Sequence, residues 1–158
     1  MPRPATPATP RLLIRSSAIH AAGVATLDAI PRGRRILEYS GPRISKDLAD
    51  ERYADRPVTY LFSVDGTDDV IDGFSMAMFV NHSCAPNCET EESDGHVYIK
   101  AIRDIAAGEE LVYEYNLHDS DDDNADCHCG AAQCRGTMFS DDELKRRARI
   151  AKRKAARA

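Results

Sequence analysis

Three cysteines near the C-terminal end have the spacing of metal ligands. Cys127, Cys129 and Cys134 lie within eight residues, beside a glycine that permits a tight turn. Structural zinc takes four thiolate or imidazole ligands, so this cluster predicts a zinc site whose fourth ligand comes from elsewhere in the chain. The alternative is a loop with three free surface thiols. It is less favoured, because exposed free thiols are prone to oxidation. The candidates for the fourth ligand are Cys84, Cys88, His118 and His128.

A second chemically active segment has the sequence Phe-Val-Asn-His-Ser-Cys at residues 79–84. His82 beside Ser83 suggests a hydrolase, but neighbouring side chains of an extended segment point in opposite directions. A serine nucleophile must lie within hydrogen-bond reach of its base, and the chain has no Gly-x-Ser-x-Gly elbow. We therefore exclude hydrolase chemistry. The structural alternative is a polar turn whose Asn and Ser side chains bind backbone groups.

Four tyrosines occupy predicted strand positions: Tyr39, Tyr60, Tyr113 and Tyr115. Tyr113 and Tyr115 are two residues apart, so they lie on the same side of a regular strand. Phenols in this arrangement pack in a core, or they line a narrow channel that suits a long amphipathic side chain such as lysine. The spacing leaves both alternatives open.

The elements that must position these side chains are mostly short strands in one domain, the default for 158 residues. Asp-Gly at 65–66 and 94–95 predicts two hairpins. Residues 45–55 predict a helix with Leu48, Ala49 and Tyr53 on one face, and Ser140 with Glu143 predicts a capping box before a C-terminal helix. Short β-branched or aromatic runs occur at residues 12–16, 23–27, 35–39, 58–64, 97–102 and 110–115.

Charge is distributed unevenly along the chain. Thirteen basic and 26 acidic residues precede Lys145, a net charge of −13, whereas residues 145–158 contain eight basic residues and no acid. The acidic part favours a cationic partner and repels nucleic-acid phosphates. The basic tail suits a weak contact with nucleic acid, or it folds back on the acidic part.

No apolar run approaches the roughly 18 residues of a membrane span, so we expect no membrane partner. Prolines at positions 2, 4, 7 and 10 predict a flexible leader instead of a signal peptide. Five cysteines without a secretion signal indicate a reducing compartment. We therefore expect an intracellular protein, cytoplasmic if the source is bacterial and nuclear or chromosomal if it is eukaryotic or viral.

Six motifs in order resemble the SET-domain protein lysine methyltransferases with a zinc-binding post-SET segment. Any one of them arises by chance, but six with sensible gaps do not. The resemblance covers residues 17–136, about three quarters of the chain. The motifs are Ile-His-Ala-Ala-Gly-Val (19–24), Glu-Tyr-Ser-Gly (38–41), Tyr-Leu-Phe (60–62), the segment 79–84, Gly-Glu-Glu-Leu-Val-Tyr-Glu-Tyr (108–115) and Cys-x-Cys-x4-Cys (127–134).

The resemblance implies a mostly β fold of small twisted sheets around a pseudoknot, with short helices and a C-terminal helix. It divides the chain into a leader (1–10), a SET domain (11–117), a post-SET segment (118–138) and a basic helix (139–158). It also implies S-adenosylmethionine on one face and a peptide groove on the other. The residues carried over for the cofactor are His20, Ala22, Tyr60, Asn81, His82 and His128.

The same resemblance implies the metal ligands and the catalytic residues. Tyr115 matches the family's catalytic tyrosine, and Tyr39 and Tyr60 would line the lysine channel. Tyr113 falls where the family carries Phe or Tyr, and a phenol there limits the room for a methylated amine. We therefore predict mainly monomethylation of a lysine in a basic, histone-like peptide. One structural zinc would take Cys84, Cys127, Cys129 and Cys134, which leaves Cys88 as a free thiol.

Four positions depart from the family's pattern. Ala21 replaces a glycine, so a positive φ there would strain the backbone and weaken cofactor binding. Ser75 and Met78 stand where the family often has Asn and Arg, and Pro42 stands where Glu is common. The catalytic tyrosine and the Asn-His pair remain, so we expect an active enzyme. The alternative is a catalytically weak, zinc-stapled SET module that binds a peptide or nucleic acid.

Overall fold

The structure is a computed structural model that describes residues 9–56, 59–118 and 125–156, so residues 1–8 of the predicted leader lie outside the described part. Strands dominate the described regular structure, as predicted. The elements are β1 (Leu12–Ser16), β2 (Ala22–Thr26), β3 (Arg35–Glu38), β4 (Arg43–Ser45), α1 (Lys46–Tyr53), β5 (Leu61–Ser63), β6 (Asp69–Asp72), a 3₁₀ helix (Met76–Phe79), β7 (Asn81–His82), β8 (Cys88–Ser93), β9 (His96–Ala101), β10 (Val112–Tyr113) and α2 (Asp141–Ala155).

These strands form four small sheets, which confirms the mostly β fold class. β1 pairs with β2, and two three-stranded antiparallel sheets have the orders β3-β9-β8 and β4-β6-β5. The fourth sheet is the parallel pair of β7 and β10, in which Val112 lies opposite Asn81 and Tyr113 lies opposite His82. This pair brings two chemically active segments, distant in sequence, to one place.

Both predicted hairpins are confirmed. Asp94 and Gly95 join β8 to β9 with positive φ angles of 53° and 75°, as the tight turns of two-residue hairpins require. Asp65 and Gly66 lie in the connection between β5 and β6, which occupies the longer stretch 64–68.

Several strand predictions need correction. Residues 58–64 form a strand only at Leu61–Ser63, with residue 58 outside the described part, and residues 110–115 form one only at Val112–Tyr113. Strand β8 was not predicted, because half of its residues are acidic. Glu91 of β8 pairs with Arg35 of β3 at 2.9 Å and with Lys100 of β9 at 3.2 Å. These ion pairs stabilise β8 in the sheet, although its sequence does not alternate between apolar and polar residues.

The main core is built from aliphatic side chains of the strands and connections around β9. A smaller cluster of Ile44, Ala49 and Val70 lies beneath α1. The prediction that Leu48 shares the buried face of α1 is wrong, because Leu48 is 41% exposed whereas Ala49 and Tyr53, four residues apart, are buried. The largest fully buried aliphatic residues of the main core are Val24, Ile30, Val80, Val97, Ile99, Ile105 and Leu111.

The C-terminal helix α2 begins as predicted but is capped differently. Ser140 Oγ accepts a hydrogen bond from the Glu143 amide at 3.2 Å, which is half of a capping box. The Glu143 carboxylate instead accepts from Arg146 and Arg147, both at 2.7 Å, and the Ser140 amide donates to Leu117 O at 3.0 Å. Neither helix of the described part has the length and apolar character needed to cross a membrane.

Candidate active site

One cavity of about 440 Å³ collects side chains from segments spread between residues 19 and 138. A second hollow of about 550 Å³ is lined by residues of α2 alone, so it is an open surface and encloses nothing. The first cavity is lined by every residue expected at the cofactor or in catalysis: His20, Ala22, Tyr39, Tyr60, Asn81, His82, Tyr113, Tyr115 and His128.

Asn81 is fixed by a network that the motifs did not predict. Its Nδ2 donates to Ala22 O and to Glu110 Oε1, both at 2.9 Å, and it lies 3.2 Å from Ser17 Oγ. Gly23 permits this packing, since a Cβ there would lie 2.2 Å from Glu110 Oε1 and 3.0 Å from Asn81 Nδ2. The glycine of the motif at 19–24 is thus required by a close approach.

His82 is buried and held in one orientation. Its Nδ1 accepts a hydrogen bond from the Tyr115 amide at 3.1 Å, so the ring proton lies on Nε2, which is 3.4 Å from Cys84 Sγ. Burial, helped by the positive charge of Arg135, lowers the pKa of His82 to about 4. The imidazole is therefore neutral at pH 7 and orients the backbone at Tyr115.

Four tyrosines surround the inner part of the cavity. The Tyr115 hydroxyl donates to Val80 O and the Tyr39 hydroxyl donates to Tyr60 O, both at 2.9 Å. The rings of Tyr113 and Tyr115 lie 4.9 Å apart, as their spacing predicted. Burial raises the pKa of Tyr115 to about 12 and raises the pKa values of Tyr39 and Tyr113 as well.

Two glycines allow close packing around Tyr39 and the strand β6. A Cβ at Gly73 would lie 2.4 Å from the Tyr39 ring, and a Cβ at Gly41 would lie 1.9 Å from Asp72 O. The Asp72 carboxylate is fully buried, where it accepts hydrogen bonds from Arg52 at 2.8 Å and from the Tyr53 hydroxyl. These hydrogen bonds connect α1 to β6, in the sheet β4-β6-β5 beside the cavity.

The four cysteines expected to bind metal lie together. Their Sγ atoms are all within 4.8 Å of one another, and Cys127 Sγ is 3.7 Å from both Cys84 Sγ and Cys134 Sγ. A tetrahedral ion with Zn–S bonds of about 2.3 Å places its sulfurs about 3.8 Å apart, so the cluster fits zinc. Cys88 lies in the core, where burial raises the pKa of its thiol to about 12.

Arg135 connects the cysteines to their surroundings, a role that sequence analysis missed. Its amide donates to Cys84 Sγ at 3.4 Å, and its guanidinium pairs with Glu114 and, at 3.2 Å, with Asp141. Glu114 precedes Tyr115, and Asp141 begins α2. The sequence offered one signal for this role, which is the position of Arg135 directly after Cys134.

Two walls of the cavity are therefore built differently. We call β7, β10 and Tyr115 the strand wall, and residues 125–138 the cysteine wall. The strand wall is held by backbone pairing and buried side chains. The cysteine wall has one isolated backbone bridge, Asp126 to Thr137, with backbone hydrogen bonds from the Cys127 amide to Gly136 O at 3.1 Å and from the Met138 amide to Ala125 O at 2.8 Å, besides the four-sulfur cluster. His20 and His128 are exposed at the cavity rim, the latter on the cysteine wall.

The departures from the family's pattern have visible consequences. Ala21 has a φ of 24°, the positive value that a glycine adopts more easily. Ser75 Oγ accepts from the Ser40 amide at 3.3 Å and donates to Glu38 O at 3.4 Å, which ties the motif at 38–41 to the 3₁₀ helix. Met78 lines the cavity with an apolar side chain. Pro42 O accepts the Asp72 amide at 2.9 Å.

Comparison with known proteins identifies the class. The family model described as SET domain matches residues 21–116, and the chain belongs to this family. It is 38% identical over 141 residues to "Histone-lysine N-methyltransferase, H3 lysine-4 specific" of Saccharomyces cerevisiae, with 80% of this chain and 13% of the relative aligned.

Other relatives agree in name and in the extent of the match. "Histone-lysine N-methyltransferase 2B" of Homo sapiens is 39% identical over 131 residues, which cover 75% of this chain and 5% of the relative. "Histone-lysine N-methyltransferase ATX2" of Arabidopsis thaliana is 35% identical over 153 residues, which cover 89% of this chain and 14% of the relative. The chain therefore spans only a small part of these relatives.

Proposed function

We propose that the chain is a protein-lysine N-methyltransferase that uses S-adenosylmethionine and acts on a lysine in a basic, histone-like peptide. The observation that carries this proposal is the single cavity in which all the expected cofactor and catalytic residues meet. The relatives' names, each a histone-lysine N-methyltransferase, support the activity and the substrate class.

The residues present fit the cofactor. A cavity of about 440 Å³ lies within the roughly 300–1,000 Å³ usual for ligand sites. Bound S-adenosylmethionine supplies an electrophilic methyl group on a sulfonium. His20 and Ala22 would hold it on one side, Asn81 and His82 on the strand wall, Tyr60 just before β5, and His128 on the cysteine wall. A neutral His82 adds no positive charge beside a cationic ligand.

The tyrosines would receive the substrate lysine. A lysine attacks only as the neutral amine, and an enclosed channel lined by uncharged phenols disfavours the ammonium form. The Tyr115 hydroxyl uses its proton on Val80 O, so its oxygen lone pairs are available to accept a hydrogen bond from the amine and to orient it. Tyr39 and Tyr60 would line the channel, as their hydrogen bond favours.

We further propose that Tyr113 limits the product to the monomethyl form. Its hydroxyl makes no hydrogen bond with the described residues, while its ring packs on Tyr115. It can therefore hold a water or the amine in the space a second methyl group needs. Tyr113→Phe should increase dimethylated and trimethylated product on a histone H3 tail peptide measured by mass spectrometry. Efficient trimethylation by the wild type would contradict this proposal.

We assign the four-cysteine cluster to one structural zinc ion that holds the cysteine wall against the strand wall. Sulfur separations near 3.7 Å support this assignment. The corresponding division is a leader at 1–10, a SET domain at 11–117, a post-SET segment at 118–138 and a basic helix at 139–158. None of the five cysteines, all in the described part of the chain, forms a disulfide, which supports action in a reducing compartment.

A weak contact between α2 and nucleic acid is the second candidate function. Arg149, Lys152, Arg153 and Lys154 are exposed, and they form no ion pair within the described part of the chain. Phosphate binding by such a helix depends steeply on salt. Measured by fluorescence anisotropy, binding of duplex DNA should weaken strongly between low and physiological salt and disappear when these four residues are replaced by Gln.

The experiment that tests the main proposal is methylation of a histone H3 tail peptide by the zinc-loaded chain. We expect mass spectrometry to find a methylated lysine with the wild type and none with Tyr115→Phe. Calorimetry with S-adenosylmethionine should show binding by both. Binding without transfer by the wild type would favour the weak peptide-binding or nucleic-acid-binding module instead.

A further inference from the structure

The second half of α2 carries two lysines on a segment that nothing in the described structure holds. Residues 148–156 are all exposed, and Glu143 is the one buried residue of α2. The Ser140 cap and the carboxylate of Glu143 stabilise only the first two turns. Isolated helices of about this length are marginal in water, so the turns with Lys152 and Lys154 unwind at little cost.

The chain's other three lysines are held by their elements. Lys46 begins α1, whose inner face is buried. Lys100 lies in β9, the central strand of its sheet, and pairs with Glu91 at 3.2 Å. Lys145 lies in the anchored part of α2 and pairs with Asp142 at 3.1 Å. An acceptor lysine must enter a narrow channel, which favours a segment able to become extended.

Charge favours the same segment. Arg153 lies between the two lysines and Arg149 precedes them, while residues 1–144, which carry the cavity, have a net charge of −13. Although each whole chain carries a net charge of −5, the basic end of α2 in one molecule is attracted to the acidic part of another.

The end of α2 reaches the cavity of its own molecule less easily than the cavity of a second copy. Met138 lines the cavity, and Lys152 lies about 16 Å along α2 from Asp141 at 1.5 Å per residue. Because the helix is anchored through residue 147, residues 148–152 would have to unwind and reverse their direction within five residues. A second copy needs only the end of the helix to unwind.

We propose that Lys152 and Lys154 are methylation sites, modified by a second copy of this chain; this inference rests on the proposed function. The neutral Nζ forms a bond to the methyl carbon, and the carbon–sulfur bond of S-adenosylmethionine breaks. The thioether S-adenosylhomocysteine leaves, and the proton that the ammonium must lose beforehand goes to solvent. The methylated lysine keeps its positive charge.

The experiment mixes two full-length, zinc-loaded variants in the presence of S-adenosylmethionine. The first, Lys152→Arg with Lys154→Arg, keeps its catalytic residues but has lost both acceptors. The second, Tyr115→Phe, keeps both acceptors but has lost the catalytic hydroxyl. We expect peptide mass mapping to find methyl groups on Lys152 or Lys154 of the Tyr115→Phe chain, and none when that chain is incubated alone. The matched control is Lys145→Arg introduced into the Tyr115→Phe chain, which should leave the methylation of Lys152 and Lys154 unchanged.

A histone H3 peptide in the same tube separates the two proposals. Methylated peptide with no label on the Tyr115→Phe chain would overturn the inference and leave the proposed function intact. Methylation found only on Lys46, Lys100 or Lys145 would also overturn it. So would a wild-type chain that methylates itself but leaves an added Tyr115→Phe chain unmethylated. If neither the peptide nor any chain is methylated, the proposed function itself is wrong.

Discussion

The strand wall and the cysteine wall face the same cavity but depend on different forces. Asn87, 2% exposed, shows how the strand wall is held: its Nδ2 donates to Glu110 O at 2.7 Å and its Oδ1 accepts from the Val112 amide at 2.9 Å. The cysteine wall has no strand or helix in its described residues; besides backbone hydrogen bonds and the ion pairs of Arg135, it has the four-sulfur cluster, whose spacing fits zinc. We therefore expect the strand wall to be complete as protein and the cysteine wall to depend on a bound ion.

The largest expected effect is on the cysteine wall. Cys129→Ser removes one of four thiolates, so we expect loss of the bound zinc and of nearly all methyl transfer, measured by elemental analysis and by the peptide assay. Cys88→Ala is the matched control, since the Cys88 thiol is buried in the core, and it should keep the zinc. Equal zinc loss in both variants would show that the cluster is not the metal site.

The strand wall should respond through global stability. Asn87→Ala leaves the Glu110 carbonyl and the Val112 amide unpaired, which we expect to lower the free energy of unfolding by about 3 kcal/mol. That corresponds to a fall in Tm of about 10 °C, in calorimetry of the zinc-loaded chain. Asn87→Asp keeps the acceptor oxygen but sets a second acceptor against the Glu110 carbonyl in a buried site, so it should cost at least as much. A Tm unchanged by Asn87→Ala would mean that this wall is not held as described.

A smaller effect concerns α2, which continues from the cysteine wall. Hydrogen bonds from Arg146 and then Arg147 lower the pKa of Glu143 from 4.5 to about 2. Its stabilisation of the helix start is complete above pH 4.5 and is lost as the pH falls toward 2. Amide chemical shifts of residues 141–147 should move over that range, and Glu143→Gln should give the acid-type shifts at pH 6. Shifts that stay constant down to pH 2 would contradict this account.

The smallest effect is expected at Ala21. Relief of the positive φ gains about 1 kcal/mol, and the greater freedom of an unfolded glycine offsets about half of it. Ala21→Gly should therefore stabilise the chain by about 0.5 kcal/mol in urea unfolding. Ala22→Gly, in β2, should destabilise it by a similar amount. Destabilisation by Ala21→Gly would show that its φ carries no strain.

The sequence predicted residue types that act through local motifs and missed those that act across the fold. The tyrosines, the Asn-His pair and the cysteines all stand within short recognisable segments. The contacts of Glu110 and Asp72 were not predicted, because their partners are distant in sequence. Gly23 leaves room for the Glu110 carboxylate, and Gly41 leaves room for the Asp72 carbonyl. The fold class followed from the short strands and Asp-Gly turns.

Errors in the sequence analysis have a common physical cause. Leu48 and Glu143 were placed by periodicity and by a capping pattern, both of which describe one helix in isolation. Beneath α1, Ile44 and Val70 pack on Ala49, and Leu48 stays exposed. At the start of α2, Leu117 O takes the Ser140 amide, and two arginines of the same helix take the Glu143 carboxylate.

Methyl transfer to a histone H3 peptide, measured before zinc removal, after chelation and after zinc is restored, tests the central claim most directly. We predict transfer by the loaded chain, loss after chelation and recovery with zinc, while amide hydrogen exchange stays slow at Asn87 and Val112 throughout. Transfer that is unaffected by chelation, or protection lost in both walls together, would contradict the two-wall description. No transfer by the loaded chain would contradict the methyltransferase itself.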